Sequence, residues 1–177
     1  MKGLVFTEFL QMVEDKFSAD MVDDIIDDAN LPSGGAYTAV GSYDHTELVA
    51  MVVALSKRTA IPVPLLVRAF GEYIFTVFAK RFTIFFEGVT DSLTFLESVE
   101  NIIHPEVLKL YPDATLPTFD CIREGDSLEM TYRSECHFSD LAEGLMIGCG
   151  HFFGDPLTIT REELTNGDTK FTIIKQA

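Results

Sequence analysis

The period of the hydrophobic pattern first changes from helical to strand-like at Pro117, and that change constrains the fold more than any other feature. Before Pro117, apolar residues such as Val5 and Phe9 recur at the three- and four-residue spacing of amphipathic helices. After it, two pairs of short apolar segments flank turn sequences, and a helical segment separates the two pairs. We therefore predict an α+β fold, in which a helical lobe over about residues 1–116 precedes a sheet lobe over about residues 117–177.

The individual elements follow from periodicity and from start and stop signals. Helices are predicted over about residues 5–17, 22–26, 46–59, 65–85, 92–103 and 139–153, with a short helix opening at His104-Pro105. Strands are predicted over 118–122, 127–134, 157–161 and 170–174, around turns at 123–126 and 166–168. The sheet lobe is thus a small four-stranded antiparallel sheet with one intervening helix.

Length and composition limit the class of protein. With 177 residues, 47% of them hydrophobic and 15 of them Phe, the chain can bury a core of one domain or of two tightly packed lobes. It has no apolar run long enough to span a membrane and no signal peptide, so we expect a cytoplasmic protein. A net charge of −15 argues against a nucleic-acid partner, because a polyanion requires a basic surface.

Catalytic and metal motifs are absent from the sequence, which favours a protein that is not an enzyme. There is no Walker loop, G-x-S-x-G elbow, H-E-x-x-H or C-x-x-C motif. The acidic residues Asp23, Asp24, Asp27 and Asp28 lack the alternating ligands and central glycine of a calcium loop, and we interpret them as a solvated helix face. Because C-x-x-C-H is also absent, any haem is bound non-covalently.

One histidine stands in an environment that suits a metal ligand. His104 follows the apolar pair Ile102-Ile103 and precedes Val107, so its ring can face an apolar cavity of the kind that a haem needs. Tyr132 and Ser134 lie two apart on a predicted strand and therefore point to the same face. Both hydroxyls can donate a hydrogen bond to one group, such as a propionate. From spacing alone, a helix-start or surface histidine and a paired surface strand are the commoner interpretations.

The sequence resembles the H-NOX family, the haem nitric oxide/oxygen binding domains of bacterial sensors and soluble guanylate cyclases. The resemblance covers the whole chain. It rests on Met1-Lys2-Gly3, on His104 followed thirteen residues later by Pro117, on Tyr132-Arg133-Ser134, and on the helix 141–145 leading to Phe152-Phe153-Gly154. It implies that non-covalent haem b lies between the lobes, with His104 on the iron, Pro117 against the porphyrin, and Tyr132 and Ser134 on the propionates.

The chain departs from the family pattern at one site position. In the family a Tyr-x-Ser-x-Arg motif grips the propionates, and the arginine position is Cys136 here. An arginine offers a charged fork of several donors, whereas a thiol is a weak, uncharged donor. Propionate anchoring would then depend on Tyr132, Ser134, backbone amides or water.

The same resemblance implies the lining of the gas-binding side. The implied lining residues are all apolar: Val5, Phe9, Ile74, Phe78 and Leu145. Oxygen-binding members carry a tyrosine where this chain has Leu141. Bound oxygen carries partial negative charge and gains from a hydrogen-bond donor, which nitric oxide hardly needs. The resemblance therefore implies a sensor of nitric oxide, able to bind carbon monoxide also, that discriminates against oxygen.

The family mechanism supplies an expected switch. Nitric oxide breaks the bond between iron and His104, strain from Pro117 is relieved, and the helical lobe shifts against the sheet lobe. Such a ligand-biased two-state element is what signalling requires. Because the sequence shows no output domain, we expect a separate signalling protein to detect the shift, and family precedent indicates a histidine kinase of two-component signalling or a cyclic-di-GMP enzyme.

Two other hypotheses come from the same sequence. Cys121, Cys136 and Cys149, with His151 or His137, include the ligand types of a Cys3His zinc site, although Cys136 and Cys149 flank most of one predicted helix. The same thiols would alternatively sense redox state. The phenylalanine-rich composition also suits a module that binds an apolar ligand without haem.

Overall fold

The computed structural model describes residues 1–176, and Ala177, the last residue of the predicted domain, lies outside the described residues. The chain divides into two compact units, Met1–Phe70 and the part from Gly71 onward. The elements are α1 (Gly3–Lys16), α2 (Ala19–Ala29), α3 (His45–Thr59), α4 (Val63–Arg81), α5 (Ser92–Ser98), α6 (His104–Leu110), β1 (Thr118–Glu124), β2 (Ser127–Arg133), α7 (Ser139–Phe153), β3 (Leu157–Glu163) and β4 (Thr169–Lys175). The predicted α+β fold is confirmed.

The first unit is helical, and its amino terminus is tied to a loop. The Gly3 amide donates to the Gly41 carbonyl at 2.8 Å, and the terminal ammonium donates to the Tyr43 carbonyl at 2.9 Å. A Cβ on Gly3 would overlap the Thr38 carbonyl, so only glycine fits where α1 begins. This close approach gives a physical reason for the glycine of the opening Met1-Lys2-Gly3.

Ion pairs and side-chain caps hold the surface of the first unit. Arg58 on α3 lies 2.6 Å from Asp24 and 2.6 Å from Asp28 on α2. The acidic face of α2 is therefore partly neutralised by a neighbouring helix. The Ser18 and Asp44 side chains accept from backbone amides at the starts of α2 and α3.

The second unit is built on an antiparallel sheet of strand order β1-β2-β4-β3. The two predicted hairpins are present, and β2 pairs with β4, so the hairpins join in the middle of the sheet. Gly125 and Gly167 in the two turns have φ of 58° and 88°, a backbone conformation that suits glycine.

One face of this sheet carries the core of the second unit. The fully buried members are Leu93 on α5, Leu128 and Met130 on β2, Cys149 on α7, and Phe171 and Ile173 on β4. Alternation along β2 and β4 directs every second residue inward, as expected for a sheet covered on one face.

Two helices end several residues earlier in the structure than predicted. The helix predicted to reach residue 85 ends at Arg81 and is followed by a tight 3-10 turn, Thr83–Phe86. The helix predicted over 92–103 ends at Ser98 and continues as a π-turn, Val99–Ile103. Apolar residues continue through both segments, so hydrophobic periodicity alone cannot distinguish them from α-helix.

In the described part of the chain, no single helix is long and apolar enough to cross a membrane. Only α3 and α4 counted together, as one bent pair, meet the length and composition of a span.

Candidate functional site

His104 lies at the junction of the π-turn and α6. The Asp91 side chain caps α5 by accepting from the Thr94 amide at 3.0 Å, and Pro105 stands in the first turn of α6. The His104 amide donates to the Val99 carbonyl, five residues back, which closes the π-turn. Single π-turns inside helices are rare and often mark functional sites.

The imidazole of His104 is held on one side only. Its Nδ1 lies 3.4 Å from Oε2 of Glu100, and 15% of the side chain is exposed. Burial lowers the pKa of His104, and the opposing effect of Glu100 does not overcome it. The ring is therefore neutral at neutral pH, which is the form that binds a metal. Among residues 1–176, no group partners Nε2.

Glu100 also contacts the first strand of the sheet. Its Oε2 accepts a hydrogen bond of 2.9 Å from the amide of Phe119, two residues after Pro117. The ring of Phe119 lies 5.9 Å from that of His104 and 5.6 Å from that of Tyr132, between centroids. One carboxylate and one phenylalanine thus connect the candidate iron ligand to β1 and β2.

The candidate propionate residues lie at the end of β2. Tyr132 is buried, and its hydroxyl oxygen accepts from the Phe138 amide at 3.0 Å. Burial raises the pKa of Tyr132 and outweighs the opposing contacts with Ser134 and the Phe138 amide, so the hydroxyl keeps its proton. Ser134 lies one residue beyond β2, and its hydroxyl oxygen accepts from the Cys136 amide at 3.2 Å.

Within the second unit, α4 and α7 approach closely near three of the predicted lining residues. A Cβ on Gly71 would come within 2.5 Å of the Leu141 carbonyl oxygen, and one on Gly148 within 2.8 Å of the Phe75 Cβ. Ile74 on α4 is buried, whereas Phe78 on α4 and Leu145 on α7 are half-buried. Glycines at these positions bring the apolar residues of the two helices together.

The remaining two predicted lining residues belong to the first unit. Val5 is half-buried on α1, and Phe9 is fully buried there, where it packs edge-on against Phe70 at 5.3 Å between ring centroids. The structure therefore gives Phe9 a core position in its own unit.

The three cysteines occupy separate environments. Cys149 is fully buried on α7, Cys121 is half-buried on β1 and Cys136 lies in the loop after β2. Burial, with nearby acidic residues, raises the pKa of Cys121 to about 11, and burial also raises the pKa of Cys149. Thiols that stay protonated react slowly with oxidants. Residues 1–176 contain no group of three or more His, Cys, Asp and Glu side chains placed to hold a metal ion together.

The donor set suits a haem. A neutral imidazole with a free Nε2, a protonated tyrosine hydroxyl and a serine hydroxyl are the groups that an iron and two propionates require. The sequence predicted these three residues as candidates, but it did not single out Glu100 or Phe119. The four-residue spacing between Glu100 and His104 could have indicated that Glu100 lies next to the histidine. The contact with Phe119 could not be predicted in this way, because it depends on how β1 packs on the π-turn.

Comparison with known proteins identifies the family. The haem-NO-binding family model matches residues 2–161. The Fe(II) unliganded H-NOX protein from K. algicida has 37% sequence identity and a TM-score of 0.94, over 100% of this chain and 97% of that one. H-NOX from Shewanella woodyi, solved in an IWP-051-bound Fe(II)CO state, has 38% identity and a TM-score of 0.85, over 99% and 95%.

A further match supports the fold alone. The H-NOX protein from S. oneidensis in the Fe(II)NO ligation state has a TM-score of 0.92 at 24% identity, over 100% of both chains. A search of the curated proteins gave no match. The fold and the family model define a domain of a haem-binding gas-sensor family. The chain belongs to the haem-NO-binding, or H-NOX, family.

Proposed function

We propose that this chain is a single haem-based nitric oxide sensor domain with His104 as the iron ligand. The observation that carries the proposal is the one-sided environment of His104, whose Nδ1 faces Glu100 while Nε2 has no partner among the described residues. Metal-binding histidines commonly have this arrangement, with a carboxylate on the second nitrogen. The relatives from K. algicida and Shewanella woodyi were solved with ferrous iron, which supports the same cofactor here.

The chain's own residues would hold non-covalent haem b. His104 would bind through Nε2, Pro117 would lie against the porphyrin, and the hydroxyls of Tyr132 and Ser134 would donate to the propionates. When bound, the haem supplies a ferrous iron with one face open to a diatomic gas. The release of His104 would then free the segment formed by the π-turn and α6 to move against β1.

Selectivity for nitric oxide over oxygen would come from the apolar distal residues. Ile74, Phe78 and Leu145 offer no hydrogen-bond donor, and Leu141 occupies the position of the family's oxygen-stabilising tyrosine. Without a donor, the partial charge on bound oxygen is not stabilised. We expect nitric oxide and carbon monoxide to bind and oxygen not to form a stable complex.

The output would be another protein. We propose a histidine kinase or a cyclic-di-GMP enzyme, following the precedent of the family, as the protein regulated by movement of the His104 segment. A net charge of −15 favours a basic surface on that partner and makes its association rate fall as salt is added.

A gas titration of the purified ferrous protein tests the proposed selectivity. Nitric oxide and carbon monoxide should each shift the Soret band, while air should leave no oxygenated spectrum. A long-lived oxygenated spectrum in the unmodified protein would contradict the proposal. The variant Leu141→Tyr adds a donor and should raise oxygen affinity, and Leu141→Phe is the matched control because it adds the ring without the hydroxyl.

A further inference from the structure

Glu100 contacts both His104 and the first strand of the sheet. It lies in the π-turn, one turn before His104, and 29% of its side chain is exposed. Both of its contacts use the same oxygen: Oε2 faces Nδ1 of His104 at 3.4 Å and accepts from the Phe119 amide at 2.9 Å. The carboxylate therefore bridges the histidine and the first strand of the sheet.

This bridge determines which nitrogen of His104 can bind iron. A carboxylate only accepts, so the proton of the neutral imidazole is placed on Nδ1, and Nε2 keeps its lone pair. The contact to Phe119 holds the carboxylate in place, because β1 packs on the π-turn and the Phe119 ring lies 5.9 Å from the imidazole. Through Glu100, the orientation of the imidazole therefore depends on the position of β1.

We propose that Glu100 is the positioning residue of His104, and that it sets the strength with which the imidazole holds iron. The effect on iron binding rests on the proposed haem function. The predicted tautomer of His104 does not, because it can be measured in the chain without haem. A negatively charged acceptor on Nδ1–H increases the basicity of Nε2, so it strengthens the bond to a metal. Glu100 therefore raises the threshold for releasing His104.

The variant Glu100→Gln separates charge from geometry. Because both contacts converge on one oxygen, the single carbonyl oxygen of glutamine can keep both of them, while the negative charge is lost. Glu100→Ala removes both contacts. Glu97→Gln is the matched control, since Glu97 is an exposed residue of α5 that pairs with Arg123 at 3.4 Å and loses the same charge.

Three measurements on the full-length variants test the proposal. In the ferrous protein, resonance Raman should show the iron–histidine stretch at lower frequency in Glu100→Gln and lower still in Glu100→Ala. Haem transfer to an acceptor globin should be roughly tenfold faster in Glu100→Gln, in line with other outer carboxylates of metal-bound histidines. In the haem-free chain, nitrogen-15 NMR should show the Nδ1–H tautomer of His104 in the unmodified protein and a mixture in Glu100→Ala.

The outcomes separate this proposal from the proposed function. If the unmodified protein carries haem on His104 but Glu100→Gln matches Glu97→Gln in stretch frequency and haem transfer, Glu100 only anchors β1 and the proposal is overturned. If the haem-free chain shows the Nε2–H tautomer, the proposal is overturned regardless of haem. If haem does not bind through His104 at all, the proposed function fails, while the tautomer measurement still decides the role of Glu100.

Discussion

Cys136 is the residue at which this chain departs from the propionate motif of its family. Arginine at that position would form charge-assisted hydrogen bonds, each contributing about 1.5–3 kcal/mol. Here Cys136 lies in the loop after β2, where its amide donates to the Ser134 hydroxyl at 3.2 Å. The backbone thus keeps the serine in place, but no side-chain charge is supplied by position 136.

The substitution Cys136→Arg should therefore strengthen haem retention. We expect haem transfer to an acceptor globin to slow by roughly 10- to 100-fold, the equivalent of the added hydrogen bonds. Cys136→Ser, which adds no charge, is the control and should change the rate little. Faster haem loss in Cys136→Arg, or release of zinc, would contradict the assignment of this loop to the propionates.

Asp155 joins three elements of the second unit. Its Oδ2 accepts from the amide and hydroxyl of Ser92 at the start of α5, both at 2.8 Å, and its Oδ1 lies 2.7 Å from Nζ of Lys175 at the end of β4. Burial raises the pKa of the Asp155 carboxyl, but the contacts with Lys175 and Ser92 outweigh it, so the pKa lies below its ordinary value of 3.8.

We expect Asp155→Ala to lower the free energy of unfolding by about 2 kcal/mol at pH 7, because it removes hydrogen bonds to a charged group. A carboxyl whose pKa is lower in the folded state stabilises the fold above its unfolded pKa, and that contribution is lost as pH falls through the folded value. The difference between variant and unmodified protein should thus shrink below about pH 4. Urea unfolding at pH 7 and at pH 3.5 measures both values. If the exposed control Glu124→Ala lowered the free energy of unfolding equally, the contacts of Asp155 would not be the cause of the loss.

The crossing of α4 and α7 depends on glycine. A Cβ on Gly71 would lie 2.5 Å from the Leu141 carbonyl oxygen and 2.8 Å from the Gly144 Cα, both of which are backbone atoms. Gly71→Ala should therefore destabilise the protein by roughly 1–3 kcal/mol, despite the better helix propensity of alanine. Thermal unfolding measures the change, with exposed Thr76→Ala on α4 as a control expected to stay within about 0.5 kcal/mol. Stabilisation by Gly71→Ala would show that the helices are not in close contact there.

Turn residues and hydrophobic periodicity predicted most helices and strands, but not the contacts between them. Gly125 and Gly167 marked both hairpins, because their turns need a left-handed backbone, and the apolar repeat beginning at Val5 marked α1. The pairing of β2 with β4 and the contact of Glu100 with Phe119 join residues far apart in sequence, so no local pattern reports them. The π-turn was missed for a different reason: its residues have helical composition, and only the hydrogen bonding differs.

At the scale of the whole molecule, the residues proposed to hold or surround the haem are distributed over both units of the chain. His104, Tyr132, Ser134, Ile74, Phe78 and Leu145 all belong to the second unit, while Val5 and Phe9 belong to the first. The contact between His104 and Glu100, and the hydrogen bonds from Phe119 to Glu100 and from Phe138 to Tyr132, lie within the second unit. That unit therefore contains both the proposed iron ligand and the strand against which its release would act.

The most direct test of the account is the absorption spectrum of ferrous His104→Gly, recorded with and without free imidazole. Glycine at position 104 removes the proposed iron ligand and leaves a space that imidazole can fill. We predict that the variant loses its Soret band during purification and retains haem when imidazole is present throughout. A variant that keeps haem with an unchanged five-coordinate spectrum in the absence of imidazole would contradict the assignment of His104, and with it the proposed switch.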